Sequence, residues 1–238
     1  MCTVVIRVPE SAGEPTRVLA IRDEDPARPW NPLGPWWPEA RDGVVGVRDV
    51  RAGGAWLAAD PAAGRLAVLL NRADVSTRPE SELTSRGTIV LDSVAGQPPS
   101  GQPRTHGFNL VEVDAGGARV TTWDGDSLTT RRLSPGTHMV AHDNVDDDGT
   151  PRIAAWLEEF RAASPAAEAR WWMPWVEVLR RSAELEPTDD RAIIRDNRPH
   201  GYPTLSLLAC VASVSPDGVD VHYGELDRPG HWGGLDLA

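Results

Sequence analysis

Met1-Cys2-Thr3-Val4-Val5-Ile6-Arg7-Val8 is a thiol followed at once by an apolar, β-branched run, the composition of a strand. Removal of Met1 would put the thiol and a free α-amine on one residue, so that nucleophile and general base arrive together with no His nearby in the chain. An α-amine suits that task, because its ordinary pKa of about 7.7–8.0 lies close to working pH. The competing reading is an inert small hydrophobe on a buried strand, and on position alone that reading is favoured, since free Cys is among the most buried residue types.

Outward from that strand, a Pro- and Gly-containing loop leads to a second, Thr16-Arg17-Val18-Leu19-Ala20-Ile21, which ends in the charged cluster Arg22-Asp23-Glu24-Asp25. Pairing of the two strands would bring this cluster beside Cys2. The segment from Pro26 to Gly43 carries Trp30, Pro32, Pro35, Trp36, Trp37 and Pro38. Its prolines exclude helix and predict an ordered loop, whose indoles either fold back as local core or stand over a site for an apolar acyl or aromatic substrate. Val44–Val47, Ala55–Asp60 and Arg65–Asn71 read as further strands, with Gly53-Gly54 in one of the turns between them; the third is nearly all apolar, as a strand covered on both faces should be. Ser85–Val94 reads as a short helix. Strands follow at Gly107–Val113, Ala118–Trp123 and Ser127–Leu133.

The run Gly136 to Asn144 has strand character and carries His138 and His142, so their spacing does not converge as it would on a helix, and a metal pair is not expected. Asn144 to Gly149 imitates the start of a calcium loop, but position 12 is Ala155 instead of Glu, which excludes that site. Two apolar stripes at helical spacing predict helices: Ile153, Trp156, Leu157 and Phe160, then Trp171, Trp175, Val178, Leu179 and Leu185. Thr204–Ser213 and Val219–Glu225 close the chain as a hairpin.

The 238 residues show no repeat and no linker, so one domain, 1–238, is expected. A formal charge of -11 argues against nucleic acid and anionic membranes as partners; a small-molecule substrate is the expected partner. All 24 basic residues are Arg, which excludes a Lys Schiff base and a P-loop Lys. Two cysteines, Cys2 and Cys210, make neither a disulfide framework nor a zinc cluster, and Cys210 reads as core. No signal peptide and no run of eighteen apolar residues is present, so the expectation is a soluble, cytoplasmic protein.

The order of short motifs then matters more than any one of them. Met1-Cys2, Arg22-Asp23-Glu24, Gly53-Gly54-Ala55-Trp56-Leu57, Leu70-Asn71-Arg72, Ser85-Arg86-Gly87 and a Pro135-Gly136 run ending in Asn144 together resemble the NRDE family, also called the transport and Golgi organisation family. The resemblance implies an α+β fold of N-terminal-nucleophile type, a four-layer αββα sandwich, related in layout to enzymes that cleave non-peptide amides through an N-terminal Cys. It implies Cys2 as nucleophile with its α-amine as base, Arg22 beside the thiolate, and Asp23 orienting the amine, with Asp25 as rival. Asn71 would donate to the oxyanion and Asn144 would position the carbonyl or the amine, while Trp30, Trp36, Trp37 and Trp56 would line the substrate site. No metal and no cofactor is implied for this reaction. The family is also associated with haem mobilisation, which gives an alternative: a non-enzymatic haem or apolar small-molecule binder with His138 or His142 as axial ligand. Two departures stand out. Ile21 occupies the Asn position of the name-giving motif, and Gly201-Tyr202-Pro203-Thr204 replaces a segment in which relatives carry a second Arg, leaving Arg198 as its candidate substitute.

Overall fold

The computed structural model describes residues 2–11, 13–163 and 169–237; the expected loss of Met1 lies outside them. The described chain is mixed α/β. Its strands are β1 (Thr3–Val8), β2 (Thr16–Glu24), β3 (Trp30–Gly34), β4 (Val45–Asp49), β5 (Ala55–Asp60), β6 (Arg65–Asn71), β7 (Phe108–Asp114), β8 (Gly117–Trp123), β9 (Leu128–Arg132), β10 (Gly136–Val140), β11 (Leu205–Ser215) and β12 (Gly218–Glu225). Its α-helices are α1 (Gly87–Val94), α2 (Pro151–Ala162) and α3 (Met173–Ser182).

The strands form two antiparallel sheets, one of five in the order β10-β1-β2-β11-β12 and one of seven in plain sequence order from β3 to β9. The smaller sheet joins strands from both ends of the chain, with β11 between β2 and β12 and β1 between β2 and β10. The larger sheet is built from the continuous stretch of chain between β2 and β10.

Alternation along the strands sorts their side chains into three apolar clusters. Val4, Ile6, Val18, Ala20, Cys210 and Ala212 from the smaller sheet meet Leu57, Val68, Val111 and Val120 from the larger one, so the main core lies between the sheets. Val5, Leu19, Ile21 and Val211, the residues of opposite parity, pack under α2 and α3 with Leu157, Phe160, Trp175 and Val178. Ala58, Ala67, Leu69, Phe108 and Leu110 on the far face of the larger sheet are covered by Val90, Leu91 and Val94 of α1. Cys210 is fully buried, as expected.

Two elements differ from the sequence reading. Trp30–Gly34 is a strand within the proline-rich segment, tolerated because β3 is an edge with one paired side, where a missing N–H costs nothing. Trp171 and Leu185 fall outside α3: Pro174 belongs in a first turn, so the helix begins at Met173, and Trp171 packs edge-on to Trp175 from the preceding turn, 5.6 Å between centroids. Such an aromatic pair contributes about 0.5–1.5 kcal/mol beyond its buried area. Asn109, fully buried on β7, ties the sheets together: its amide donates to the carbonyls of Ala141 and Asp143 beyond β10, and its Oδ1 accepts from Thr122.

Candidate active site

Cys2 precedes β1, one step beyond the Thr3–Ile21 pair, which sets it beside the end of β2. Its parity is that of Val4 and Ile6, so the side chain points into the border of the inter-sheet core, where it is 8% exposed. The thiol Sγ accepts from the Asp23 N–H at 3.4 Å and lies 3.7 Å from the Asp23 carbonyl oxygen. It opens on a cleft of about 490 Å³ lined by Cys2, Arg22, Asp23, Trp56, Asn71 and Arg86, among others. Burial pushes the Cys2 thiol above its ordinary range, the Asp23 charge pushes the same way, and Arg22 pulls down less strongly. A resting thiol, not a thiolate, is the consequence. Arg22 next to Cys2 is not sufficient to ionise it, contrary to what proximity alone suggests.

Along β2, alternation sends Arg22 toward the inter-sheet side and Asp23 toward the helices. Arg22 is 3% exposed; its Nη2 contacts Glu24 at 3.4 Å and Asp49 at 3.9 Å, and its Nη1 has no hydrogen-bond partner. Asp23 accepts from Ser206 Oγ at 2.6 Å and from Asn197 Nδ2 at 3.4 Å. Arg195 completes this shell: its backbone N–H donates to Ser206 Oγ and its Nε to Asn197 Oδ1. Arg152, in the first turn of α2, is fully enclosed and donates to Thr3 Oγ1 at 3.1 Å. Burial draws its guanidinium down to about 10, with Arg195 acting in the same direction and the Asp23 and Cys2 charges opposing.

Arg152, Arg195, Asn197 and Ser206 form a layer behind Cys2 and Asp23 that the sequence reading missed. The available signal was a charged residue inside an apolar stretch: Arg195 follows Ile193-Ile194, and Arg152 directly precedes Ile153. Arg198, expected to supply the second cation, instead pairs with Asp196 at the surface, 62% exposed. Asp25 does not line the cleft; it accepts from the Ala27 N–H in the turn after β2, which leaves Asp23 as the carboxylate beside Cys2.

Asn71 ends β6, lines the cleft, and its side-chain amide makes no hydrogen bond among the described residues. Asn144 does not line it; its Oδ1 accepts from Arg72 at 3.1 Å, the residue following Asn71. Of the four tryptophans, Trp56 alone lines the cleft, with a buried indole N–H that has no hydrogen-bond partner among the described residues. The other three satisfy their N–H groups close at hand: Trp30 on Tyr223 Oη, Trp36 on the Pro32 carbonyl and Trp37 on the Gly53 carbonyl. A buried or half-buried indole donor takes an acceptor, and these three find theirs outside the cleft wall.

Both ring nitrogens of His138 are occupied, by Asp146 Oδ2 at 2.7 Å and the Ser134 carbonyl at 2.9 Å, and His142 Nε2 faces Asp143 at 3.1 Å. No group of three or more potential metal ligands occurs among the described residues. No described helix is long and apolar enough to cross a membrane.

A family model described as Transport and Golgi organisation 2 matches residues 1–191 of the chain. No curated protein matches it. The match ends before Arg195, Asn197 and Ser206, so part of the shell around Asp23 comes from beyond it.

Proposed function

The chain belongs to the transport and Golgi organisation 2 family, and from that premise we propose that it is an N-terminal-cysteine hydrolase, or acyl transferase, acting on a non-peptide amide or an ester. The fold is then the αββα sandwich of the N-terminal-nucleophile enzymes. The three separate apolar clusters, one between the sheets and one under the helices on each outer face, support that reading.

With Met1 removed, the α-amine of Cys2 takes the thiol proton as sulfur attacks the substrate carbonyl, forming the C–S bond. The developing oxyanion is met by the Asn71 amide, which lies on the cleft wall with no side-chain hydrogen bond among the described residues, such a donor being worth about 2.7–4 kcal/mol where it is aligned. The ammonium returns its proton to the leaving nitrogen or oxygen as that bond breaks, and water clears the thioester by the reverse sequence. Burial holds the proton on the Cys2 thiol, which favours a base within the same residue. Asp23, held by Ser206 and Asn197, orients the amine, and Asn144 acts through Arg72 on the Asn71 turn. A free thiol nucleophile also needs a reducing compartment, so the cytoplasm is the proposed location.

The observation that carries this reading is Cys2 on the wall of a cleft that also holds Arg22, Asp23 and Asn71. Intact mass of the purified protein should lack Met1, and a panel of acyl amides and esters should be turned over by wild type but not by Cys2→Ala. An acyl-enzyme mass on the Cys2 peptide should accumulate with a slow ester. Retained Met1, or equal turnover by Cys2→Ala, overturns the proposal.

A further inference from the structure

On a chain of net charge -11, the cleft wall holds four arginines, Arg22, Arg28, Arg51 and Arg86, against three acids, Asp23, Glu24 and Asp49. The acids are already engaged. Asp49 pairs with Arg28 at 2.5 Å, Glu24 with Arg22 at 3.4 Å, and Asp23 faces Ser206 and Asn197. Arg51 and Arg86 have no ion pair among the described residues; Arg86 makes one hydrogen bond, from Nη1 to the Gly107 carbonyl at 2.8 Å, and Arg51 makes none.

The segments that carry these two arginines are in contact. Gly54, three residues after Arg51, presses its backbone on Gly87, the residue after Arg86, so closely that a Cβ on Gly54 would overlap the Gly87 carbonyl group. Of the charges that act on Arg86, those of Asp74 and Glu24 favour its charged form and that of Arg28 opposes it. A further positive element is the start of α1 at Gly87 on the cleft wall, which has no acid in its first turn, its Gly87 N–H donating to Ser85 Oγ at 3.2 Å. Further along the same wall, Arg22 offers an Nη1 with no partner on a side chain that is 97% enclosed.

We propose that the end of the cleft formed by Arg51, Arg86 and the start of α1 binds an anionic oxyacid group, carboxylate or phosphate, carried by the substrate whose carbonyl Cys2 attacks. The inference rests on the acyl-transfer reading for its purpose and on the arginine geometry for its chemistry. Two guanidiniums present planar pairs of donors that match either oxyacid. Such a substrate is anchored at one end and reacts at the other, which gives selectivity against neutral amides of the same size.

Binding to Cys2→Ala protein, in which no thioester can form, separates the two claims. Phenyl phosphate, benzoate and uncharged benzamide form a size-matched set for titration calorimetry. One of the two anions should bind at least about tenfold more tightly than benzamide, the advantage should shrink in molar salt, and the tighter anion identifies the oxyacid. Arg86→Gln and Arg51→Gln should each weaken the anion roughly tenfold and leave benzamide unchanged. Arg51 makes no hydrogen bond or ion pair, so its replacement tests the charge without disturbing the fold. Benzamide binding as tightly as both anions, or Arg51→Gln without effect on them, overturns the inference. Anion binding without turnover by wild type upholds it and overturns acyl transfer instead.

Discussion

Asp23→Asn changes one oxygen to nitrogen in the densest polar region of the molecule, and two consequences of opposite character follow. The carboxylate is 6% exposed and accepts from Ser206 Oγ on one oxygen and Asn197 Nδ2 on the other, while the enclosed Arg152 feels its charge. An Asn can keep the Ser206 bond but then turns its NH₂ toward the NH₂ of Asn197, donor against donor, and one negative charge that offsets Arg152 is gone. Removing a principal opposing charge from a buried ion, here Arg152 with Asp190 still acting on it, costs up to about 3–5 kcal/mol. For 238 residues, an unfolding entropy of about 2.1 cal/mol/K per residue converts this to a fall in melting temperature of up to about 6–10 °C. At the same time the Asp23 charge is one of the causes holding the Cys2 thiol high, so the variant's thiol should ionise at lower pH. Differential scanning calorimetry reads the first effect; the pH profile of iodoacetamide alkylation at Cys2, followed by peptide mass, reads the second. Asp25→Asn, which can still accept from the Ala27 N–H, should stay within about 0.5 kcal/mol of wild type and leave the alkylation profile in place. A melting temperature for Asp23→Asn indistinguishable from that control, with an unmoved alkylation profile, would refute the coupling of Asp23 to both Arg152 and Cys2.

Gly54→Ala should cost at least the upper end of about 1–3 kcal/mol, because the added methyl meets Gly87 backbone, which cannot rotate aside; chemical denaturation of the variant measures it, and a loss below about 1 kcal/mol would mean that the two loops are not clamped. Mild alkylation of the folded protein should modify Cys2, with a rate still rising above pH about 9, and spare fully enclosed Cys210, whose thiol burial pushes far up; equal labelling of the two peptides would contradict the placement of Cys210 in the inter-sheet core. The Asp146 hydrogen bond raises the His138 pKa above its usual 6.5, so this pair's contribution is complete below about 6.5 and is lost as pH rises through the higher folded value. Melting temperatures should therefore fall more for wild type than for His138→Gln between pH about 6 and 8, and parallel curves would show that the pair does not titrate in that window.

Much of this was legible in the residue order, because strand and helix periodicity are properties of neighbours along the chain. The alternation of Thr3–Val8, the continuous apolar run before Asn71 and the stripe of Ile153, Leu157 and Phe160 each announce their element without reference to anything distant. The proximity of Cys2 to Arg22 and Asp23 was readable for the same reason, since one short loop joins the two strands. Trp30, Trp36 and Trp37 show where such reading stops. A side chain's destination depends on which acceptors lie within reach in space, and local carbonyls hold all but Trp30, which pairs with Tyr223 on the other sheet.

What the sequence by itself determined was therefore the kind of element each segment forms and the pairing of Cys2 with the end of β2. Only the tertiary structure decided which distant groups share a space: Asp23 with Ser206 and Asn197, 183 and 174 residues away, and the segments of Arg51 and Arg86 through the contact of Gly54 on Gly87. The physical reason is that electrostatics and backbone collision act through space, over a few ångströms set by sheet register and packing, and no periodicity along the chain encodes that distance.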